Sequence, residues 1–274
     1  MHRSRINFYL ILLISPALAV FTAFFLFPLA RLAISSAEGP MGLKIYLLAL
    51  THPRYFTTLV STILLSLAVT IATLLISGFS GVFLTRNDFP GKSLVLSMLT
   101  FPLAFPGVVV GFMIILLAGR QGLIGDITNA LFGGKLVLAY SMVGLFLGYL
   151  YFSIPRVITT IMAVAEKIDP SLEEAARSLG ASPWLVIKDV LIPALVPGLI
   201  SSGAICFATS MGAFGTAFTL ATDIDVLPIV IYTEFTLMAQ IATAAALSIV
   251  LGIITWIALF VARGAAGNNV AAAG

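Results

Sequence analysis

The sequence predicts an all-α integral membrane protein with about six transmembrane helices and one polar helical segment between the fourth and fifth. Three observations carry this. The 274 residues are 60% hydrophobic and only 9% charged, with a mean hydropathy of +1.14, whereas a soluble domain carries roughly a quarter charged residues. Such a chain cannot cover a water-facing surface. Second, apolar runs long enough to cross a bilayer, about 20 residues each, recur at about 8–30, 57–84, 93–118, 137–163, 196–220 and 240–262. Third, these runs are continuous and do not alternate. In lipid, where backbone groups must be satisfied internally, they therefore read as helices and not as barrel strands.

The first run follows Arg3 and Arg5 and contains Ala17-Leu18-Ala19, which imitates a signal-peptide cleavage site. The apolar stretch continues to about Leu29, longer than a typical signal core, so it reads as a retained first span. Six spans place both termini on one side, together with the 86–92 loop and the 166–195 segment. That side carries eight Lys and Arg (Arg3, Arg5, Arg86, Lys92, Lys167, Arg177, Lys188 and Arg263), against five on the other (Arg31, Lys44, Arg54, Arg120 and Lys135). The positive-inside rule makes the first side cytoplasmic. The opposite loops, 31–56, 119–136 and 221–239, are too short to fold alone. The organisation expected is an N-terminal tail and first helix over 1–30, a transmembrane core over 57–262 that includes the 166–195 loop, and a small-residue tail over 264–274 without structure.

Several chemistries are excluded. The two histidines, His2 and His52, lie outside the predicted spans, and no HExxH, Ser/His/Asp set or intramembrane carboxylate pair can be assembled. No metal site or enzyme activity is expected. Cys206 is the one cysteine and sits in an apolar run, so it reads as a small core residue. A net charge of +3 gives no nucleic-acid signal. Gly91-Lys92-Ser93 ends like a P-loop, but Arg86 stands where the first glycine is needed and a span precedes it instead of a strand. Arg156, after Pro155, is the exceptional charge within a span. It can snorkel to the interface, pair with a cytoplasmic acid or line a pathway, the first two being favoured.

The polar segment is built to form two helices. Asp169 can cap and Pro170 suits the first turn, with Ser171 and Glu174 offering a competing capping box. Glu173 and Glu174 suit the positive end of a helix, and Gly180 can end it in a left-handed conformation. Pro170 to Leu179 would span about 15 Å. Ser182 and Pro183 start a second helix over Trp184 to Leu191, which Pro193 is expected to break before Pro197 opens the fifth span. A plain reading is an amphipathic loop lying on the membrane.

The spacing points further. Glu174-Ala175-Ala176, three residues, Gly180, nine residues and Val190-Leu191-Ile192-Pro193 resemble the EAA loop of binding-protein-dependent, type I ABC importer permeases, with Val190 and Ile192 as conservative departures. The resemblance covers about Thr57 to Ala262 and implies the permease fold, with a coupling helix between helices 4 and 5. It also implies that Glu174, Ala175, Ala176 and Gly180 couple the chain to a separate ATPase. The expected assembly is two ATPase copies that hold ATP and Mg, a second and different permease chain, an extracytoplasmic binding protein and membrane lipid of a bacterial inner membrane. No cofactor is expected in this chain.

Two interrupted stretches are candidates for the solute pathway. Pro102, Pro106 and Gly107 break the third run, and Gly212, Phe214, Gly215 and Thr216 follow one another at the end of the fifth. Freed carbonyls there need partners or a wet cavity, although close helix packing explains the glycines more simply. Asp223, Asp225 and Glu234 could form a loop surface for the binding protein, or an acidic mouth for a cation. The 212–236 stretch is similar to permeases of the spermidine/putrescine group, which implies a polyamine, with 2-aminoethylphosphonate or another small solute as the alternative. An ion-coupled carrier or channel and a non-transporting scaffold are the rival classes.

Overall fold

The computed structural model describes residues 2–220 and 224–266, with side chains from Leu12 onward, and every regular element among these residues is helical. In chain order they are α1 His2–Phe21, α2 Phe27–Ala37, α3 Lys44–Thr51, α4 Pro53–Arg86, α5 Lys92–Thr100, α6 Gly107–Ala118 and α7 Leu123–Phe132. Then follow α8 Met142–Glu166, α9 Pro170–Ser178, α10 Pro183–Val186, α11 Ile192–Met211, α12 Phe214–Leu220, α13 Leu227–Tyr232 and α14 Ile241–Ala266. Six stretches are long and apolar enough to cross a membrane: Leu12–Ala37, Pro53–Arg86, Gly107–Phe132, Met142–Glu166, Pro183–Met211 and Ile241–Ala266. The predicted fold class holds, and four boundaries move. Of the tail expected to be unstructured over 264–274, residues 264–266 continue α14, and the remainder lies outside the described residues.

The first span runs on to Ala37, past Arg31, because a π-turn at Thr22–Leu26 carries α1 into α2. There the Phe27 N–H bonds to the Thr22 carbonyl, five residues back. That wider turn eases the ring of Pro28 past the carbonyl it would strike in a regular helix. The same device corrects the expectation at Pro193. A π-turn at Ile187–Leu191 sends the Ile192 N–H to the Ile187 carbonyl. The second short helix therefore continues unbroken into the fifth span, with Pro193 in the first turn of α11.

The third expected span is not continuous. α5 ends in a 3-10 turn at Phe101–Ala104, and Phe105 is extended before Pro106, as the residue ahead of a proline prefers. The chain restarts at Gly107 as α6, turns at 119–122 and continues as α7, and the two together are long and apolar enough to cross a membrane. The fifth span ends at Met211, short of the expected 220, because the helix stops at Gly212–Ala213 and restarts as α12. The expected 221–239 loop contains α13 and a further π-turn, Thr233–Leu237.

The chain divides into two compact units. One comprises Met1–Phe56 and Val230–Val250, the other Thr57–Ile229 and Leu251–Gly274. In the first, the Ser36 hydroxyl and the Tyr46 hydroxyl share a 2.6 Å hydrogen bond that ties α2 to α3. Glu234 is buried there, accepts from the Tyr55 hydroxyl at 3.1 Å and lies 3.6 Å from Arg54.

The second unit holds the core: Val69, Leu145, Tyr149, Ile161 and Leu220 are fully enclosed, and Cys206 is buried among them as an apolar-like side chain. Small residues bring its helices close. A side chain at Gly81 would meet Ile161 at 3.0 Å, and the Ser77 hydroxyl donates to the Ile154 carbonyl at 3.3 Å, which seats α4 on α8. A side chain at Gly111 would lie 2.7 Å from Thr219, which seats α6 on α12.

Candidate functional site: a coupling helix and a cationic cavity

The polar segment forms the helix its residues predict. Asp169 caps α9, its Oδ1 accepting the Ser171 N–H at 2.9 Å, so this cap prevails over the competing box at Ser171 and Glu174. That hydrogen bond holds the Asp169 carboxyl below the usual carboxylate range. At the other end Gly180 adopts φ +84°. Its N–H bonds to the Arg177 carbonyl at 2.9 Å and the Ala181 N–H to the Ala176 carbonyl at 3.1 Å, closing the last turn. Ser182 caps the next helix by accepting the Leu185 N–H at 3.4 Å.

α9 is largely uncovered. Glu174 and Ala175 are exposed, Ala176 is half-buried, and Leu179 at the tip is 89% exposed. Trp184 beyond the turn is 65% exposed. Apolar side chains this open beside small alanines leave a surface on which another protein can seat closely. The acid that faces inward is Glu173, not Glu174. Its Oε1 lies 2.8 Å from Arg86 Nη2 at the end of α4, and its Oε2 lies 3.7 Å from Arg177. By sequence alone Glu173 is only a favourable charge near a helix start. No local pattern links it to a residue 87 positions earlier.

The two interrupted stretches meet. A cavity of about 470 Å³ lies between the 102–108 break, α8 and the 208–216 break, all within the second unit. Of the residues the sequence proposed for a pathway, Pro102, Gly212, Gly215 and Thr216 line it, and Pro106, Phe214 and Asp225 do not. Phe214 instead lies against Phe218, with ring centres 5.2 Å apart and the rings tilted by 31°. Asp225 is exposed, and Asp223 lies outside the described residues. Glu234 is a buried, ion-paired group and not an open acid, so it contributes no free negative charge to a mouth.

The breaks are held by backbone acceptors. Tyr149 donates to the Ala213 carbonyl at 2.7 Å, Thr216 to the Gly107 carbonyl at 2.9 Å, and Thr219 to the Val108 carbonyl at 3.2 Å. Thr216 therefore spends its hydroxyl proton on structure while presenting one face to the cavity. Gly107 and Gly215 both pack closely, a side chain there meeting Thr216 Oγ1 at 3.0 Å and Val108 N at 3.1 Å, and line the space, whereas Gly212 only lines it.

Arg156 is the one ionisable residue in the cavity wall. It stands fifteenth of the 25 residues of α8, and it has no ion pair among the described residues. The least favoured of its three sequence readings is the one the geometry supports. The uncapped first turn of α6 opens on the same space through Gly107 and Val108, and a helix N-terminus adds partial positive charge. Thr209, one of the hydroxyl residues beside the interrupted fifth span, also lines the wall, as does Phe152, which no sequence signal marks.

This fold is that of a solute-conducting membrane subunit. Residues 74–269 match the family described as binding-protein-dependent transport system inner membrane component, and the chain belongs to it. It is thus a multi-pass inner-membrane permease of the type I ABC importer class. Among its relatives, the molybdenum transport system permease protein ModB of Escherichia coli K12 is 37% identical over 179 residues, which span 64% of this chain and 75% of that protein. A 2-aminoethylphosphonate transport system permease protein, PhnU of Salmonella typhi, is 29% identical over 248 residues, or 88% of this chain and 86% of that one. The fold matches that of a bacterial alginate ABC transporter solved with an alginate-bound periplasmic protein. The TM-score is 0.82 at 15% identity, over 95% of this chain and 94% of that one. Neither relative is a polyamine permease, so the group narrows to the importer class and not to the spermidine/putrescine branch.

Proposed function

We propose that this chain is the permease subunit of an importer for a small oxyanion, of the molybdate or phosphonate kind. The observation that carries this is Arg156 in the wall of the 470 Å³ cavity, a mid-span cation with no ion pair among the described residues. A charge within a span is costly and marks a pathway when it faces a cavity. Its guanidinium offers planar donors suited to tetrahedral oxygens. The start of α6 adds to the positive field. The relatives named above carry molybdenum, which dissolves in neutral water as the tetrahedral molybdate dianion, and an aminophosphonate. A polyamine would meet like charge in this cavity, so the expected polyamine gives way to an anion.

In this reading α9 seats on a separate ATPase through Glu174, Ala175, Ala176 and Leu179. Two ATPase copies bind ATP and Mg, a second permease chain completes the pore, and an extracytoplasmic binding protein delivers the solute. Both termini and α9 face the cytoplasm, as six spans and the basic residues of the 166–195 segment favour.

The test is uptake of radiolabelled molybdate, 2-aminoethylphosphonate and spermidine by cells with and without this chain. Loss of oxyanion uptake on deletion, with Arg156→Gln lowering it about tenfold or more, supports the reading. Chain-dependent spermidine uptake, untouched by Arg156→Gln, overturns it.

A further inference from the structure

We propose that the Arg86–Glu173 pair is a positioning contact that fixes α9 to α4, so that the two helices move as one body during transport. This rests on the reading of α9 as the coupling helix. The geometry behind it is a three-way junction. Arg86 is the last residue of α4. Its Nη2 donates to the Ile168 carbonyl at 3.1 Å, two residues past the end of α8, and lies 2.8 Å from Glu173 Oε1 on α9. One guanidinium therefore joins the ends of two spans to the polar helix.

The contact is shielded from water. The Glu173 side chain is 11% exposed and that of Arg86 20%, so the pair is screened far less than a surface pair. Glu173 is the one buried residue of α9. The rest of the helix is open, and the chain entering it bends at 167–169. A push on the exposed face of α9 would be absorbed at that bend unless something transmits it. Arg86 Nη2 serves both oxygens, and its contact with Glu173 is a close ion pair and not an aligned hydrogen bond; an enclosed charge pair still resists separation in a way that apolar contact does not.

The junction also leads somewhere. α4 is seated on α8 by Gly81 against Ile161 and by the Ser77 hydroxyl on the Ile154 carbonyl at 3.3 Å. Ile154 is two residues from Arg156 in the cavity wall. From Arg86 to Ser77 is nine residues of unbroken helix, about 14 Å at 1.5 Å per residue. A displacement of α9 borne by Arg86 thus reaches the segment of α8 that carries the cavity cation through rigid, packed elements.

The experiment uses the full permease–ATPase complex in lipid nanodiscs, with nitroxide spin labels at Asp88→Cys and Ser178→Cys, both exposed positions flanking the junction. Paramagnetic resonance reads the distance between the turn directly after α4 and the end of α9, without nucleotide and with ATP and vanadate. A single narrow distance, the same in both states, is expected for the native pair. Arg86→Glu or Glu173→Arg alone should broaden it, and should lower molybdate uptake in cells about tenfold or more while the ATPase still co-purifies. The combined Arg86→Glu, Glu173→Arg exchange should restore the narrow distance and most of the uptake. A distance unchanged by either single reversal, or one that the exchange fails to restore, overturns the proposal. Gly180→Pro separates the two levels. If it leaves both ATPase co-purification and uptake intact, the coupling reading of α9 fails. If it abolishes uptake while the Arg86 and Glu173 reversals do not broaden the distance, only the positioning role fails.

Discussion

Thr216 donates its hydroxyl proton to the backbone carbonyl of Gly107 across 2.9 Å. The bond ties the restart of the fifth span to the first residue of α6, whose carbonyl accepts this side-chain donor besides the helix's own. One turn on, the Thr219 hydroxyl has the Gly215 carbonyl at 3.0 Å and the Val108 carbonyl at 3.2 Å within reach. The cavity beside Arg156 is framed by two restarted helices tied together by a side-chain hydrogen bond.

Thr216→Val keeps the shape of this side chain and removes its donor. The expected cost is about 1 kcal/mol of stability, read as a lower unfolding midpoint in detergent. Transport is expected to persist, because the hydroxyl proton serves the backbone and not the solute. An unchanged midpoint would show that water replaces the bond.

Gly111 marks the closest approach of the same two helices. A β-carbon there would lie 2.7 Å from Thr219 Cβ and 3.1 Å from the Thr216 carbonyl oxygen. Gly111→Ala is expected to destabilise by about 1–3 kcal/mol, as overpacking does. Gly252→Ala in α14, with nothing within 4 Å, should be neutral or slightly stabilising. The pair of variants, compared by thermal unfolding in one detergent, distinguishes close approach from a general intolerance of side chains.

Gly180 holds φ +84° with nothing near a built β-carbon, so the constraint there is conformational. Gly180→Ala is expected to cost about 1–2 kcal/mol and to lower uptake partially. Gly180→Pro, whose ring fixes φ near −65°, should remove the turn and abolish uptake with the protein still in the membrane. Full uptake by the proline variant would exclude a role for this turn.

Glu234 is 3% exposed and sits between the Tyr55 hydroxyl at 3.1 Å and Arg54 at 3.6 Å. Removing a partner from a fully buried pair costs about 3–5 kcal/mol. Arg54 is 43% exposed, so screening reduces the expected cost of Arg54→Ala to about 1 kcal/mol. Glu234→Gln retains an acceptor for Tyr55 and should cost less. The order of the two unfolding midpoints checks this.

Much of α9 is legible in the sequence because its signals are local. Asp169, Pro170, Gly180, Ser182 and Pro183 act on their own backbone within a few residues, and each is found in its predicted role. The spans were legible because hydropathy is additive along the chain. Prolines were read less well. Pro193 and Pro28 each follow a π-turn that absorbs the ring, and nothing in the local composition announces that turn. Pro102 and Pro106 do interrupt the chain, and that interruption moves the third span from 93–118 to Gly107–Phe132.

By itself the sequence determined the membrane class, the number of spans, the polar helix with its caps, and the spacing that led to the importer family. Each of these is a property of neighbours in the chain or of average composition. The tertiary structure alone decided which charges face one another. It paired Arg86 with Glu173 and left Glu174 exposed, and it buried Glu234 beside Arg54. It also turned Arg156 into a cavity wall formed with residues about 50 positions away on either side. The physical reason is that a side chain's electrostatic role depends on the dielectric and the partners around it. Those are set by helix packing between distant segments, which no local pattern of residues encodes.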